Sequence, residues 1–161
     1  MEPRIEFLEE TKLIGKKTIM SLADNKTMQL WQSFMPQKTK IENVINSELY
    51  SVEVYNDDTS FESFNPTTTF EKWAAVAVNS FESIPEGMDT HTLPTGQYAV
   101  FPYKGKASEA FGTYQYIYKN WLPNSEYMMD NRPHFALMGE KYKGEHPDSE
   151  EEFWIPIKKK S

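Results

Sequence analysis

Along this chain the apolar positions follow two different periods, and the switching between them predicts the order of elements. In "LYSVEVYN" (residues 49–56) Tyr50, Val52 and Val54 alternate with Ser51 and Glu53, the period of two that marks a half-buried strand. "KWAAVAV", "GQYAVFPYKG", "HFALMGEKY" and "EEFWIPIK" read as further strands, with a weaker opener around residues 13–22. Two stretches follow the helical period instead. The first covers about residues 25–35, with Met28, Trp31 and Met35 on a stripe beside Leu30 and Phe34. Asp24 or Asn25 is placed to cap it and Pro36 to stop it. The second opens near Ser108 as N-cap, sets Phe111, Tyr114, Tyr118 and Trp121 on one stripe, and ends at Pro123. Both stripes read as core packing. Residues 56–66, Pro85-Glu86-Gly87 and residues 144–149 are polar or turn-rich and read as loops.

The order of elements repeats. Strand, helix, strand, strand over about residues 5–78 is followed by the same order over about residues 91–157. Both helices run into an aromatic, an apolar residue and proline, Phe34-Met35-Pro36 and Trp121-Leu122-Pro123, 87 residues apart (123 − 36). Glu71 and Trp73 are spaced like Glu152 and Trp154, 81 residues apart (154 − 73). The shortfall puts a longer connection in the first half, where residues 56–66 lie. These matches predict an α+β fold of duplicated βαββ units with pseudo-two-fold symmetry, antiparallel sheets and one main helix per half, in a single domain over residues 1–161. Alternation along the last strand sends Phe153, Ile155 and Ile157 toward the helices, and Glu152, Trp154 and Pro156 to the other face. Two such sheets would enclose a groove lined by aromatics and carboxylates.

Composition narrows the chemistry. The chain has 161 residues, ten Phe, nine Tyr, four Trp and a formal net charge of −7. That charge argues against direct DNA binding, which needs clustered Lys and Arg. Cysteine is absent, which excludes disulfides, thiolate nucleophiles and Cys-based zinc sites. His91, His134 and His146 are dispersed, with no HExxH, so no metal or other cofactor is expected; His134 reads as a structural hydrogen-bonding residue. No phosphate-binding glycine loop or nucleophile elbow occurs. The opening residues do not form a signal peptide, and no apolar run is long enough to span a bilayer; the expectation is a cytoplasmic protein without a membrane partner. The run Glu150-Glu151-Glu152 reads on composition alone as solvated surface. Aromatics interleaved with acids on strands also suit a cationic ligand.

Several segments, "FEKWAAVAV", "IPEGMDTHTLPTGQYAVFPYKG", "YIYKNWLPNSEYMMDNRPHFALMGEKY" and "PDSEEEFWIPIKK", resemble the GyrI-like small-molecule-binding domain. That domain also forms the effector-binding part of AraC-type and MerR-type multidrug regulators. The resemblance implies a duplicated βαββ fold around a central cleft that takes bulky hydrophobic, often cationic aromatic compounds. It places a cation-meeting glutamate at Glu152, through the E-x-x-I-P-I pattern, and cleft aromatics at Trp73, Phe101, Tyr103, Tyr142 and Trp154. In relatives an acid often follows the R-P-H-F segment, where this chain has Ala136, and His often stands at Tyr103, which implies fewer charges at the cleft. The reading is a stand-alone ligand sensor or sink, monomeric or weakly dimeric, with a separate protein partner possible. One alternative is a hydrolase opening strained rings of electrophilic natural products, with Glu152 and Tyr103 or Tyr142 as catalytic groups. Another is a protein inhibitor of a topoisomerase. Haem binding ranks last, since only the three histidines would serve it.

Overall fold

The computed structural model describes residues 2–56 and 65–160, so most of the expected 56–66 loop lies outside the described residues. Among the described residues nine strands form: β1 Arg4–Leu8, β2 Thr11–Met20, β3 Leu49–Val54, β4 Phe70–Val78, β5 Asp89–Leu93, β6 Gly96–Lys104, β7 Tyr127–Met129, β8 His134–Met138 and β9 Glu150–Lys159. Helix α1 is Thr27–Phe34, followed by a 3₁₀ turn Met35–Lys40 that carries Pro36. Helix α2 is Phe111–Tyr116, continued by a π-helical turn Ile117–Trp121 and a last turn Leu122–Asn124. The fold is α+β, with one large antiparallel sheet.

Strand order is β1-β6-β9-β8-β3-β4-β2-β5, with β7 attached to β9 beyond the end of β8. The order is a palindrome of the two halves. In the last strand of each half Trp73 pairs with Val52 and Trp154 with Phe135. Val52 and Phe135, 83 residues apart (135 − 52), also pair with each other across β3 and β8. A two-fold relating the tryptophans must therefore pass through that pair. Each half opens with a short strand that the alternation did not separate, and each lends it to the other half: β1 pairs with β6 and β5 with β2.

The connections force the sheet to curl. β1 and β2 stand near opposite ends of the strand order, yet only Glu9 and Glu10 join them. So short a link reaches about 10 Å. Pro94 and Thr95 join β5 to β6 in the same way. The two ends of the sheet therefore meet, and one face becomes an interior. Gly15 permits this closeness in β2, because a Cβ there would collide with the backbone of Ala74 and Ala75 on β4.

The interior holds Leu13, Tyr50, Val52, Trp73, Tyr98, Val100, Phe135 and Trp154, all buried without a helix contributing. Tyr98 meets both Phe135 and Trp154 edge-on, and Phe135 stacks on Trp154 at 5.1 Å. The helices pack outside. Leu30 and Phe34 of α1 cover Ile14, Ala74 and Val76, and Ile117 of the π-helical turn after α2 covers Ala99, Phe101, Phe153 and Ile155. Phe153, Ile155 and Ile157 do lie under α2, as alternation predicts. Of the expected stripes, Met28 and Phe111 are 72% and 63% exposed; Leu30 and Phe34 are buried, and Tyr114, Tyr118 and Trp121 pack on the cluster that Ile117 anchors. Asn25 accepts the Thr27 N–H at 2.9 Å, whereas Ser108 lies in a 3₁₀ turn before α2 and does not cap it. Among the described residues no helix is long and apolar enough to cross a membrane, and no metal-binding group of His, Asp and Glu converges.

Candidate functional site

The curl decides which face a ligand reaches. The indole N–H of Trp154 donates to Glu152 at 3.2 Å and that of Trp73 to Glu71 at 2.5 Å. A cation stands near each ring: Arg4 at 6.0 Å from Trp154 and Lys17 at 5.5 Å from Trp73. Arg4 also holds Glu152 in an ion pair at 2.8 Å. The same arrangement occurs twice, once per half, which marks it as part of the fold. Trp73 and Trp154 therefore do not line an open cleft; the tryptophans fill the interior of the curled sheet, and Glu152, held by Arg4, is at its rim. Phe101 is likewise displaced from a cleft role. It is fully buried beneath α2, edge-on to Trp121 at 5.2 Å. Sequence alternation separated the two faces correctly, but it carried no information on which of them the sheet would close.

The outer face is open to a different set. β3 and β8 run between the two helices, and their outward residues share rows with those of β4 and β9. One row is small: Ala74 pairs with Ser51, Ser51 with Ala136, and Ala136 with Phe153. The next is charged: Lys72 pairs with Glu53, and Glu53 with His134. Glu151 follows two residues before Phe153 on the same face, opposite Tyr103 of β6. Beyond Leu137 β8 and β9 part company. A cleft of about 640 Å³ opens there, lined from both faces of the strands by Tyr103, Leu137, Glu140, Glu150, Glu151 and Glu152 among others.

Aromatic rings surround Glu151. Tyr114 stacks on Phe153 at 4.3 Å and Tyr103 on the same ring at 5.3 Å. The Tyr103 hydroxyl donates to the Lys106 carbonyl at 2.6 Å. Tyr118 lies parallel to Tyr114 and bonds Nδ1 of His134 at 3.2 Å. Tyr55 meets the His134 ring edge-on at 5.1 Å. Burial pushes the Tyr114 hydroxyl well above its ordinary range, and Glu53, Tyr118 and Glu151 push it further. Burial followed by Glu151 and Glu145 raises Tyr142 as well. Burial, with Arg132 adding to it, pushes His134 down to about 3, so its ring is neutral. Glu151 is pushed up to about 7 by burial, with only the Lys72 ammonium opposing. Lys72 stands 3.6 Å from Glu53.

The structure thus pairs Tyr103 with Glu151 across β6 and β9 and puts Tyr142 within the influence of Glu151. Glu151 is half-buried rather than solvated, and it lines the cleft together with Glu152. Glu152 and Tyr103 start from opposite faces of adjacent strands and both line the cleft, whereas Tyr142 is not among its lining residues. Sequence reading missed Glu151, Glu53, Lys72 and Tyr114. One signal was available: the repeat itself. At the offsets that relate the tryptophans and the central pair, Glu151 corresponds to Phe70, Lys72 to Phe153 and Glu53 to Ala136. The charges of the outer strip are carried by one member of each equivalent pair, so the fold does not require them. The acid that the resemblance led one to expect at Ala136 stands instead at its equivalent, Glu53.

Comparison with known proteins agrees with this architecture. The family profile described as Cass2, integron-associated effector binding protein, matches residues 4–157. The transcriptional regulator BrlR of Pseudomonas aeruginosa is 25% identical over 159 residues, covering 98% of this chain; the chain spans 56% of that regulator's length. SAV2435 bound to tetraphenylphosphonium superposes with a TM-score of 0.74 at 18% identity, over 98% of this chain and 94% of that one. The C-terminal domain of EcmrR gives 0.72 at 14% identity, over 99% and 98%. An integron cassette protein from the mobile metagenome of Vibrio cholerae gives 0.69 at 16% identity, over 98% and 97%. At these identities the solved structures establish a shared fold.

Proposed function

The chain belongs to the Cass2 family of integron-associated effector-binding proteins, and from that premise we propose that it captures a bulky hydrophobic cation in the cleft where β8 and β9 part. The observation that carries the reading is Glu151, a carboxylate drawn out of water among tyrosine rings at the floor of an open cleft. Aromatic faces attract cations, and a desolvated carboxylate gains most when a positive charge arrives. The neighbour SAV2435 was solved with tetraphenylphosphonium, a ligand of that chemistry. The chain would then act as a ligand sensor or sink, needing no bond-breaking step.

Titration with tetraphenylphosphonium, followed by calorimetry, tests this. A charge-assisted contact contributes about 1.5–3 kcal/mol, so Glu151→Gln should bind roughly ten- to a hundred-fold more weakly. Neutral triphenylphosphine oxide should distinguish wild type from variant little. Glu152→Gln, at a cleft carboxylate already paired with Arg4 at 2.8 Å, should weaken the cation less than Glu151→Gln does. In wild type, affinity should hold steady above about pH 7 and fall below it, where a proton competes for Glu151. Loss of affinity in Glu152→Gln with none in Glu151→Gln would make Glu152 the cation's partner and overturn the role of Glu151.

A further inference from the structure

We propose that Arg4 is the cleft's resident cation: its guanidinium holds Glu152 until a ligand's positive charge takes that carboxylate over, so the ion pair sets how tightly the site binds. The inference rests on the cation-binding reading of the cleft and names the residue that regulates it. The charged side chains lining the cleft are the carboxylates Glu48, Glu140, Glu150, Glu151 and Glu152 and the ammonium groups of Lys104 and Lys141. The acids outnumber the ammonium groups, so the lining draws a cation in. Among the described residues, Glu152 is the one lining carboxylate held in an ion pair, to Nη2 of Arg4 at 2.8 Å. Arg4 is not itself a lining residue and meets the cleft through Glu152.

The seat of Arg4 has the chemistry of a bound ligand cation. Its guanidinium carbon stands 6.0 Å from the Trp154 ring. The Trp154 indole N–H donates to the other oxygen of Glu152 at 3.2 Å, and Arg4 Nε donates to Glu6 at 3.1 Å. A positive charge between an aromatic face and a carboxylate is what the cleft offers a ligand. The fold sets a cation over each tryptophan but does not call for this arginine. In the other half Lys17 lies over Trp73 from the directly paired position on β2. The corresponding partner of Trp154 on β6 is Val100, and Arg4 reaches past it from β1, one strand further out. The Arg4 and Glu152 side chains are 47% and 29% exposed, so water solvates the guanidinium once it lets go, and the exchange costs little.

Calorimetric titration with tetraphenylphosphonium at about pH 8, above the Glu151 value of about 7, tests this in a double-variant cycle. Arg4→Met keeps most of the side-chain length and frees Glu152. It should bind the cation roughly three- to tenfold more tightly than wild type, with neutral triphenylphosphine oxide bound alike by both. In the Glu152→Gln background the same substitution should change affinity less than about twofold, because no carboxylate remains to be freed. Gains of equal size in both backgrounds would mean that Arg4 only repels the ligand through space, and would overturn the exchange. Unchanged or weaker cation binding in Arg4→Met overturns it too. Wild type gives a second measurement that needs no substitution. In nuclear magnetic resonance spectra of the arginine side chains, rotation about the Arg4 Cζ–Nη2 bond should quicken when tetraphenylphosphonium saturates the protein. Unaltered rotation at saturation shows that the ion pair persists and sinks the proposal while leaving the cation site standing. If wild type binds tetraphenylphosphonium no more tightly than the neutral oxide, the cation site itself fails, and this proposal with it.

Discussion

At the scale of single residues, Glu151 links stability to pH in a direction that most carboxylates do not. Its folded pKa of about 7 lies above the ordinary value of 4.5, so the folded chain holds this proton more tightly than the unfolded chain does. The resulting stabilisation is fully present below about pH 4.5 and is lost as pH rises through about 7. Glu151→Gln keeps the shape without the charge. The variant should melt with wild type near pH 4.5 and several degrees above it at pH 8. The expected gain is about 1–3 kcal/mol, the upper figure reduced because the cleft admits water. Parallel melting curves at the two pH values would mean that the carboxylate is solvated. Adjacent residues in one acidic run thus differ through the shape of the sheet, since Glu152 turns to Arg4 and Glu151 to Tyr114. Alternation showed that they face opposite ways. Which face would be closed depends on strand order and on two-residue links, which no local pattern carries.

At the scale of elements, the helices were legible in place and less so in orientation. Their positions follow from periodicity and from Pro36 and Pro123. The buried side of each stripe was harder to read, because Met28 and Phe111 fit the period as well as Leu30 and Ile117 do. Helix starts are 84 residues apart (111 − 27) and the terminal prolines 87, so the second helix carries three more residues before its proline. The π-helical turn Ile117–Trp121 lies within that longer helix. There Trp121 reaches both Phe101 and Tyr127. Phe34 and Ile117 are fully buried, so each anchors its helix to the outer face. Phe34→Ala and Ile117→Ala should each cost roughly 2–5 kcal/mol in urea unfolding, through lost transfer energy and the cavity left behind. Met28→Ala and Phe111→Ala should each fall within about 0.5 kcal/mol of wild type, as exposed substitutions do. A large loss at Met28 or Phe111 would show that the exposed stripe packs against something in solution.

At the scale of the whole molecule, the duplication was legible because both halves spell the same order of elements and the same Glu-x-Trp spacing. The exchange of edge strands was not, because a strand's own pattern does not name the edge it will join. That exchange governs how the chain folds. β1 finds its partner in β6 and β5 finds its partner in β2, and the centre of the sheet is the β3–β8 pair between halves. The interior cluster draws Val52 and Trp73 from one half and Tyr98, Phe135 and Trp154 from the other. A separated half would expose its share of that cluster along the unpaired edge of its central strand, an arrangement that favours aggregation or swapping over a folded monomer. We infer that the chain is one cooperative unit although its sequence is a tandem of two. Cutting it in the loop before β5, as residues 1–84 and 85–161, makes this testable. Each fragment alone should lack the near-ultraviolet circular dichroism of packed tryptophans and show no sharp melting transition. Mixed or co-expressed, the two should associate one to one and recover both signals, since every exchanged pairing is again available. A monomeric half that melts cooperatively without its counterpart would show that the repeat is two domains side by side.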